Sequence, residues 1–412
     1  MGSNKIIVIG GGPAGMMAAI TAAENLDNVT LIEKNLELGK KLKITGGGRC
    51  NLTNASEPQE IKENVITNRR FITKSLYKFT SQDLIRIIEA QGCPLNIEED
   101  GCVFPKSNDS RDIMDALKKL LREKNVELEL GWEVDKIITA SNHVVGVALN
   151  NNKKIDADRV ILATGGVSYP ATGSNGKGHE LAKELGHTIT PLKASLVPLE
   201  IREKWMTELA GISFNNIKLR FDPPKKSKTI NLEGDLLITH FGISGPAPLK
   251  LSAYLKDIDF PAKGLKIRID FAPELSYEEL KKYFVELAQS NKEVTTILTR
   301  FWPKNFVKKL SKELKIDCSK PLNQLRKEER EILINNVKNF SINIIKLKSI
   351  KEATVTSGGV QVEEVNPATM ESKLIKGLYF AGEILDVDAL TGGYNLQIAF
   401  STGYLAGLLK SN

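Results

Sequence analysis

Cysteine and histidine are scarce in this chain, with four of each among 412 residues. No two cysteines form a CxxC motif, so neither a disulfide framework nor a cysteine zinc site is expected. Widely spaced thiols are typical of proteins from a reducing compartment. We therefore predict a cytoplasmic protein without a metal ion, in which all of the cysteines stay reduced: Cys50, Cys93, Cys102 and Cys318.

Long apolar runs and low-complexity tracts are also missing. Glycines and Pro13 interrupt the apolar stretch of residues 6–23, which disfavours both a signal peptide and a membrane helix there. Hydrophobic residues make up 41% of the chain and charged residues 26%, as in ordinary globular proteins. Membrane association and disorder are therefore not expected.

A strong charge imbalance is absent as well, because 57 basic residues face 50 acidic ones and leave a net charge of +7. The densest basic stretch, Lys225, Lys226 and Lys228, follows two prolines and has no interleaved aromatic residues on which bases could stack. We therefore expect a small-molecule substrate and no nucleic-acid partner. The oligomeric state stays open.

The clearest motif lies near the start of the chain, where GGGPAG at residues 10–15 fits GxGxxG between a predicted strand and a predicted helix. Gly10 permits the tight turn, Gly12 lets the backbone approach a pyrophosphate, and Gly15 lets the helix pack closely on the strand. Glu33 ends the second predicted strand, where a carboxylate accepts hydrogen bonds from a ribose diol. Together these features predict a dinucleotide site in a βαβ unit.

Three further glycine clusters favour FAD over NAD at this site. They lie at residues 45–49 (TGGGR), 164–166 (TGG) and 392–395 (GGYN). Nicotinamide dehydrogenases of this fold need only the first glycine motif, whereas the longer FAD must be followed by backbone from several strand ends. Glu383 suits the ribityl hydroxyls, and a helix that starts near Gly393 could direct its positive N-terminus at the flavin N1–C2=O edge.

Five longer motifs carry a family resemblance: GKKLKITGGGRCNLTN (39–54), ATGGVSYPATGSNGKGHELAKELGH (163–187), LLITHFGISGPAPLKLS (236–252), TSGGV (356–360) and LYFAGEILDVDALTGGYNLQIAFSTG (378–403). Over nearly the whole chain, the sequence resembles the bacterial YhiN/BaiN-like flavoproteins. That family includes proteins described as aminoacetone oxidases and as bile-acid 4,6-ene reductases.

The resemblance implies FAD held by residues of three glycine-rich segments: Gly10, Gly12, Gly15, Glu33, Lys41, Arg49, Asn51, Gly382, Glu383, Gly393, Tyr394 and Asn395. Further candidate cofactor contacts lie beside these or in the other motifs and strand ends: Pro13, Ala14, Lys34, Thr45, Gly46, Gly47, Gly48, Cys50, Val134, Thr164, Gly165, Gly166, Gly173, Gly359, Asp386, Gly392 and Leu396.

The length exceeds what one hydrophobic core usually serves, so several domains are expected. The resemblance implies an α/β fold with a Rossmann-like, glutathione-reductase-like FAD domain that carries an inserted β-barrel and helices. We predict these parts: an FAD-binding domain from residues 1–190 and 351–412, a β-rich barrel-like insert at 191–272 and a helical insert at 273–350. Strands at about 342–362 and 378–382 are expected to return to the first sheet.

Two helix starts carry capping signals. Ser81 is predicted to cap a helix over residues 82–91. Ser276 and Glu279 fit a capping box at the start of the helical insert.

The candidate catalytic residues are His240, Tyr394 and Arg49. His240 lies in the THFGISGP segment at a predicted strand-to-helix turn, where it is either a substrate-side acid or base or a histidine hydrogen-bonded in a domain interface. Tyr169 and Tyr394 either donate to a substrate carbonyl or wall the flavin. Cys50 has no CxxxxC partner, so we expect a packing thiol and no flavin-to-disulfide relay.

Three functions remain open. The first is an FAD-dependent reductase in which NAD(P)H supplies hydride through flavin N5 to a conjugated enone of bile-acid or steroid type. No second GxGxxG is present, so NAD(P)H would reach the flavin from the insertion side. The second is an FAD-dependent amine oxidase of the aminoacetone type that produces H₂O₂. The third is a non-catalytic, redox-responsive binding protein that holds FAD.

Overall fold

A computed structural model describes residues 5–24, 28–223 and 228–410, so the predicted basic turn at Lys225 and Lys226 lies outside the described residues. The chain divides into two compact units. Unit 1 is formed by Met1–Ser195 with Ile350–Asn412, and unit 2 by Leu196–Ser349. Two distant stretches of chain therefore build unit 1.

The strands follow one another in this order: β1 (Ile6–Ile9), β2 (Val29–Glu33), β3 (Thr53–Asn54), β4 (Leu95–Ile97), β5 (Cys102–Pro105), β6 (Glu127–Leu130), β7 (Val134–Ala140), β8 (His143–Leu149), β9 (Lys154–Asp156), β10 (Arg159–Leu162), β11 (Lys193–Ser195), β12 (Leu199–Ile201), β13 (Ser213–Phe221), β14 (Ile230–Ile238), β15 (Gly242–Ser244), β16 (Leu265–Asp270), β17 (Phe340–Leu347), β18 (Val355–Ser357) and β19 (Leu378–Phe380).

The α-helices are, in the same way, α1 (Pro13–Ala23), α2 (Lys40–Ile44), α3 (Pro58–Glu63), α4 (Thr73–Lys78), α5 (Ser81–Ala90), α6 (Ser110–Glu123), α7 (Lys177–Glu184), α8 (Lys204–Thr207), α9 (Pro246–Leu255), α10 (Tyr277–Leu287), α11 (Val294–Leu298), α12 (Lys304–Leu314), α13 (Lys327–Asn339) and α14 (Tyr394–Gly407).

The central sheet of unit 1 has five parallel strands in the order β19-β10-β1-β2-β6. β1 reads IIVI and is buried along its whole length, as expected for a parallel strand covered on both faces. Because β1 and β2 are parallel neighbours, their carboxyl ends bring Gly10 and Glu33 to the same edge of the sheet. The predicted Rossmann-like βαβ unit is confirmed.

Helices α1 and α14 approach each other at positions that have no side chain. A Cβ on Gly403 would lie 2.3 Å from the carbonyl oxygen of Ala14, and a Cβ on Gly407 would lie 2.5 Å from that of Ala18. Atoms cannot approach this closely, so only glycine permits the contact. The last helix is therefore fixed against the helix that opens the GxGxxG motif.

Smaller sheets complete unit 1, in the orders β3-β5-β4, β7-β8-β9 and β11-β18. β11 pairs antiparallel with β18. The pairing joins the chain just before unit 2 to the chain just after it.

Unit 2 contains a closed barrel in the order β12-β15-β14-β13-β16-β17. Its strands alternate buried and exposed residues, as in Leu265, Ile267 and Ile269 of β16, which point into the core. β16 and β17 are antiparallel neighbours, and α10 to α13 lie between them in sequence. The predicted combination of an α/β fold with a barrel and helices is confirmed.

The prediction that strands at about 342–362 return to the first sheet is wrong. β17 closes the barrel of unit 2, and β18 pairs with β11, so only β19 joins the central sheet. The reason lies in β17 itself, where buried Phe340, Ile342 and Ile344 alternate with more exposed residues. This pattern is typical of a strand with one solvated face, whereas a strand of the central sheet is buried on both.

The two capping predictions have different outcomes. Ser276 and Glu279 form the predicted capping box, with the Glu279 amide donating to Ser276 Oγ at 3.2 Å and the Ser276 amide to Glu279 Oε2 at 2.8 Å. Ser81 is not the cap of its helix, because Thr80 caps α5 in a box with Asp83. Adjacent Thr and Ser offer the same hydroxyl, and the acid three residues on selects Thr80.

In the described part of the chain, no helix combines the length and the hydrophobicity needed to cross a membrane.

Candidate functional site

The glycine turn after β1 leaves open space at one position and none at its neighbours. A Cβ on Gly10 would lie 2.5 Å from Ala163 O, and a Cβ on Gly15 would lie 1.8 Å from Gly10 O. A Cβ on Gly12 would meet no atom within 4 Å. The glycines at 10 and 15 are therefore required by packing, whereas the glycine at 12 faces a space that a bound group can enter.

Helix α1 starts at that space. Gly12 is its N-cap and supplies no side-chain hydrogen bond, while Pro13 and Ala14 form its first turn. The first amides of a helix have no intrahelical partner and carry partial positive charge. A diphosphate satisfies both conditions, so the residues fit the diphosphate of a dinucleotide.

Glu33 is held beside the glycine turn. Its Oε2 accepts a hydrogen bond from the Gly11 amide at 2.7 Å, and its Oε1 accepts from the Asn35 amide at 2.8 Å and from Asn35 Nδ2 at 2.6 Å. Asn35 Nδ2 also donates to Thr172 O at 3.1 Å. The carboxylate is thus fixed at the sheet edge where the ribose contact is predicted.

Lys41 and Glu383 form an ion pair that joins four segments of unit 1. Lys41 Nζ lies 2.8 Å from Glu383 Oε2 and donates to Ser168 Oγ at 2.7 Å. Glu383 Oε1 accepts from the Thr356 amide at 2.7 Å and from Ser168 Oγ at 3.1 Å. Both charged side chains are about one-fifth exposed. Each Glu383 oxygen therefore already holds protein donors in the region where contact with the ribityl chain is predicted.

The TGGGRCNLTN loop and the GGYN segment meet backbone to backbone. A Cβ on Gly393 would lie 2.3 Å from the carbonyl carbon of Thr53. Asn54 Nδ2 donates to Gly392 O at 3.0 Å, and the Asn51 carboxamide lies 3.2 Å from the Gly393 nitrogen. Gly393 has φ 87° and is the N-cap of α14 without a side-chain cap. The contact fixes this second open helix N-terminus.

Within the first of these loops, glycines supply both close contact and open space. Gly46, Gly47 and Gly48 have φ angles of 57°, 70° and 89°, which favour glycine. A Cβ on Gly46 would lie 2.9 Å from the Phe104 ring, whereas at Gly47 and Gly48 nothing lies within 4 Å. The last two therefore border open space, and their contact with the cofactor stays a prediction.

Arg49 and Cys50, the next residues of the loop, have protein partners. Arg49 Nη1 donates to Glu98 Oε1 at 2.7 Å, and its guanidinium lies 3.9 Å from the centre of the Phe104 ring. The Cys50 side chain is fully buried, and burial raises the pKa of its thiol to about 12. A protonated thiol is a poor nucleophile, so Cys50 does not suit a flavin-to-disulfide relay.

The loop after β10 contains a buried hydroxyl with no partner among the described residues, Thr164 Oγ1. A Cβ on Gly166 would lie 2.3 Å from Thr356 Oγ1, and a Cβ on Gly173 would lie 2.6 Å from Asn35 Nδ2. Gly165 has φ 74° and lies near Glu383. This third glycine cluster therefore packs against the segments that hold Glu33 and Glu383.

The remaining predicted cofactor residues lie as follows. Lys34 pairs with Glu133 at 3.4 Å, Thr45 Oγ1 donates to Leu42 O at 2.8 Å, and Val134 is buried at the start of β7. A Cβ on Gly359 would lie 2.4 Å from the carbonyl oxygen of Ile384, and a Cβ on Gly382 would lie 2.7 Å from the Cβ of Ala14. The Asp386 carbonyl accepts a hydrogen bond from Asn68 Nδ2 at 2.7 Å. Asn395 binds the Ala389 backbone through both side-chain atoms at 2.8 and 2.9 Å, and Leu396 is half-buried in the first turn of α14.

The two other catalytic candidates belong to different units. Tyr394 opens α14 in unit 1, is half-buried, and has a phenol whose pKa is raised by burial. His240 is exposed in unit 2, between β14 and β15. The prediction of a strand-to-helix turn at His240 is wrong, because Gly242–Ser244 forms a short strand before α9 begins at Pro246. Tyr169 is also exposed and has φ 52°, an uncommon backbone conformation for this residue type.

Sequence reasoning missed three residues that organise this region: Asn35, Ser168 and Thr356. Ser168 and Thr356 stand inside motifs that carry the family resemblance, so their position was a signal that they matter. Their role required the three-dimensional contacts. Thr356 Oγ1 accepts from the Val167 and Ser168 amides at 2.9 and 3.1 Å.

Comparison with known proteins agrees with this geometry. The HI0933-like protein Rossmann domain family matches residues 4–409. The 3-dehydro-bile acid delta(4,6)-reductase of Clostridium scindens is 32% identical over 98% of this chain and 98% of its own. The ribosomal RNA dihydrouridine synthase of Escherichia coli is 30% identical over 97% of this chain and 96% of its own.

Solved structures share the fold. The 3-ketosteroid-delta4-(5alpha)-dehydrogenase of Rhodococcus jostii aligns with a TM-score of 0.53 at 14% identity, over 98% of this chain and 95% of that one. A flavocytochrome c3 fumarate reductase aligns with a TM-score of 0.52 at 17% identity, over 98% of this chain and 77% of that one.

The fold is that of FAD-dependent oxidoreductases, and FAD is the cofactor of this class. Within that class, the chain belongs to the HI0933-like family.

The open space at Gly12 allows a direct test of where the diphosphate binds. The backbone of Gly12, with φ −81° and ψ −177°, suits any residue, so we expect Gly12→Ala to leave the melting temperature of the cofactor-free protein unchanged. The added methyl occupies the proposed diphosphate position, and FAD binding should weaken by about tenfold or more. Differential scanning fluorimetry and the flavin absorbance of the purified protein measure the two effects.

Gly15→Ala is the matched control, since its methyl clashes with the Gly10 carbonyl and should lower the melting temperature even without FAD. A Gly12→Ala protein that retains full FAD would contradict the placement of the diphosphate.

Proposed function

We propose that this protein uses NAD(P)H to reduce a carbon–carbon double bond conjugated with a carbonyl group. FAD, when bound, supplies the hydride chemistry of such a reaction, through its N5 atom. The acceptor that we place first is an enone of bile-acid or steroid type. The single observation that carries the proposal is the near full-length similarity to relatives whose names describe such reductions.

The relatives share one kind of chemistry although their substrates differ. One relative is named a 3-dehydro-bile acid delta(4,6)-reductase, and another is named a ribosomal RNA dihydrouridine synthase. A dihydrouridine ring is a uracil whose double bond, conjugated with a carbonyl, has been saturated. Both relatives therefore support the proposed reaction type, and neither alone identifies the acceptor.

The residues of unit 1 suit a crevice in which negative charge develops on a bound group. The N-terminus of α14 has no side-chain cap at Gly393, so its free amides and the helix dipole favour negative charge there. The Lys41–Glu383 pair is internally neutral and holds Ser168 and the Thr356 amide in place. Orientation and electrostatics are thus the contributions of the chain itself.

A uracil base in RNA is the second candidate acceptor. Two relatives carry the ribosomal RNA dihydrouridine synthase name, each 30% identical over at least 97% of this chain. The expectation of no nucleic-acid partner depended on a basic stretch in the sequence and did not address how cations cluster on the folded surface.

Anaerobic stopped-flow absorbance tests the proposed reaction on the FAD-loaded protein. We expect NADH or NADPH to bleach the flavin absorbance, and a subsequent 3-oxo-4,6-diene steroid or unmodified ribosomal RNA to restore it without oxygen. Recovery with one acceptor and not the other identifies the substrate class. Bleaching by small amines, with no response to either nicotinamide nucleotide, would contradict the proposal and favour an amine oxidase. A flavin that neither kind of donor reduces would instead indicate the binding protein.

His240 is the proposed substrate-side acid or base, because an imidazole ring can both donate and accept a proton and this ring is exposed in unit 2. We expect His240→Ala to slow acceptor reduction by about a hundredfold and to leave FAD content unchanged. His143→Ala, which removes an exposed histidine from β8 of unit 1, is the control. An unaltered rate in His240→Ala would remove this residue from the mechanism.

A further inference from the structure

An exposed cationic surface with an aromatic residue at its centre lies on unit 1. We call it the Tyr77 surface, and it consists of five exposed residues: Arg69, Arg70, Lys74, Tyr77 and Lys78. More than half of Tyr77 is exposed, at 56%. A large aromatic ring left in water among cations is unusual for a surface whose only role is solubility.

Helical spacing places these side chains together. Lys74, Tyr77 and Lys78 stand at positions i, i+3 and i+4 of α4, which share one face of a helix. Arg70 precedes Lys74 by four residues, in the turn that leads into α4. Lys74 and Lys78 therefore project from the same side of α4 as the tyrosine ring.

None of these four cations forms an ion pair within residues 5–24, 28–223 and 228–410, whereas many other surface lysines and arginines do, such as Lys218 with Glu233 at 3.0 Å. Uncompensated cations on one face create a positive potential that attracts anionic ligands. The Tyr77 surface thus has charge available for an external partner.

A groove of about 370 Å³ adjoins the surface. Its lining includes Arg70, Lys74 and Tyr77 and, from another segment, Pro367 and Ala368. The groove combines cations, an aromatic ring and a small apolar wall. These are the elements with which proteins hold a nucleotide, since phosphates bind cations and bases stack on aromatic rings.

The chain that leads to α4 is tied to the segment that carries the proposed flavin contacts. The Ile66 amide donates to Asp388 O at 2.9 Å, and the Leu390 amide to Asn64 O at 2.9 Å. Asn68 Nδ2 donates to Asp386 O at 2.7 Å. Residues 386–390 end just before the GGYN segment. Hydrogen bonds therefore connect the chain that leads to the Tyr77 surface with the chain that leads to the GGYN segment.

We propose that the Tyr77 surface binds single-stranded RNA, with its cations on phosphates and Tyr77 stacked on an unpaired base. The inference rests on the proposed function, and it supports RNA as the acceptor in that function. A lipid surface would call for several apolar anchors, and an acidic peptide would have no need of a stacking ring. The combination of unpaired cations with one exposed ring favours RNA.

Fluorescence anisotropy of the FAD-loaded protein with a fluorescein-labelled, uridine-containing RNA dodecamer tests the inference. We expect Arg70→Ala/Lys74→Ala to weaken binding by about tenfold and to make the slope of log Kd against log salt shallower by about 1.4, because two phosphate contacts are lost. Tyr77→Ala should weaken binding by about tenfold without changing that slope. Tyr77→Phe keeps the aromatic ring, so it should bind RNA as tightly as the unmodified protein.

The matched control is Lys119→Ala/Arg122→Ala, which removes the same charge from exposed positions of α6 in the same unit and should leave RNA binding unchanged. Melting temperature and flavin content of each variant establish that it is folded.

Three results would overturn the inference: RNA binding that the Tyr77 surface variants leave intact, equal loss in the α6 control, or equal affinity for phosphatidylglycerol vesicles. Its failure is distinct from failure of the proposed function, because RNA binding is measured without NAD(P)H and flavin bleaching is measured without RNA.

Discussion

Close approach of backbone to backbone is the constraint on which unit 1 depends. Gly403 and Gly407 let α14 lie against α1, and Gly393 lets the GGYN segment lie against Thr53. A methyl group at any of these positions would overlap a neighbouring atom. Segments from opposite ends of the chain therefore come together only because their contact faces lack side chains, and two uncapped helix N-termini are fixed as a result.

These helix ends give the crevice its chemistry. The amides at the start of α1 suit a diphosphate, and those at the start of α14 suit a group that becomes negative on reduction. Glu33 and Glu383 accept hydrogen bonds from backbone amides, and Lys41 donates to Ser168 Oγ. Relatives of this chain are named for different acceptors, and a crevice of the proposed kind does not by itself choose among them.

What the sequence could predict was local. The GxGxxG turn, the strand on either side of α1 and the capping box at Ser276 follow from residue spacing, because neighbouring residues alone determine them. The family motifs extended this to the fold class and to FAD. The ion pair of Lys41 with Glu383 was not predictable, since its partners are 342 residues apart. Neither segment carries a sequence pattern that indicates contact with the other.

The errors have equally physical causes. β17 lies in the barrel because its buried residues alternate with more exposed ones, and it pairs there antiparallel with β16. The Tyr77 surface was overlooked because its cations are spread over ten residues of sequence and form a cluster only when α4 folds. By contrast, the basic stretch at Lys225, Lys226 and Lys228 is visible in the sequence because its lysines are close together along the chain.

The central claim is that open space beside Gly12 holds the diphosphate of FAD while the N-terminus of α14 faces the flavin. A crystal structure of the FAD-loaded protein tests it most directly. The account predicts electron density for the diphosphate against the first amides of α1 and for the isoalloxazine ring beside Gly393 and Tyr394. Density for FAD at another position, with the space at Gly12 filled by protein side chains, would contradict it.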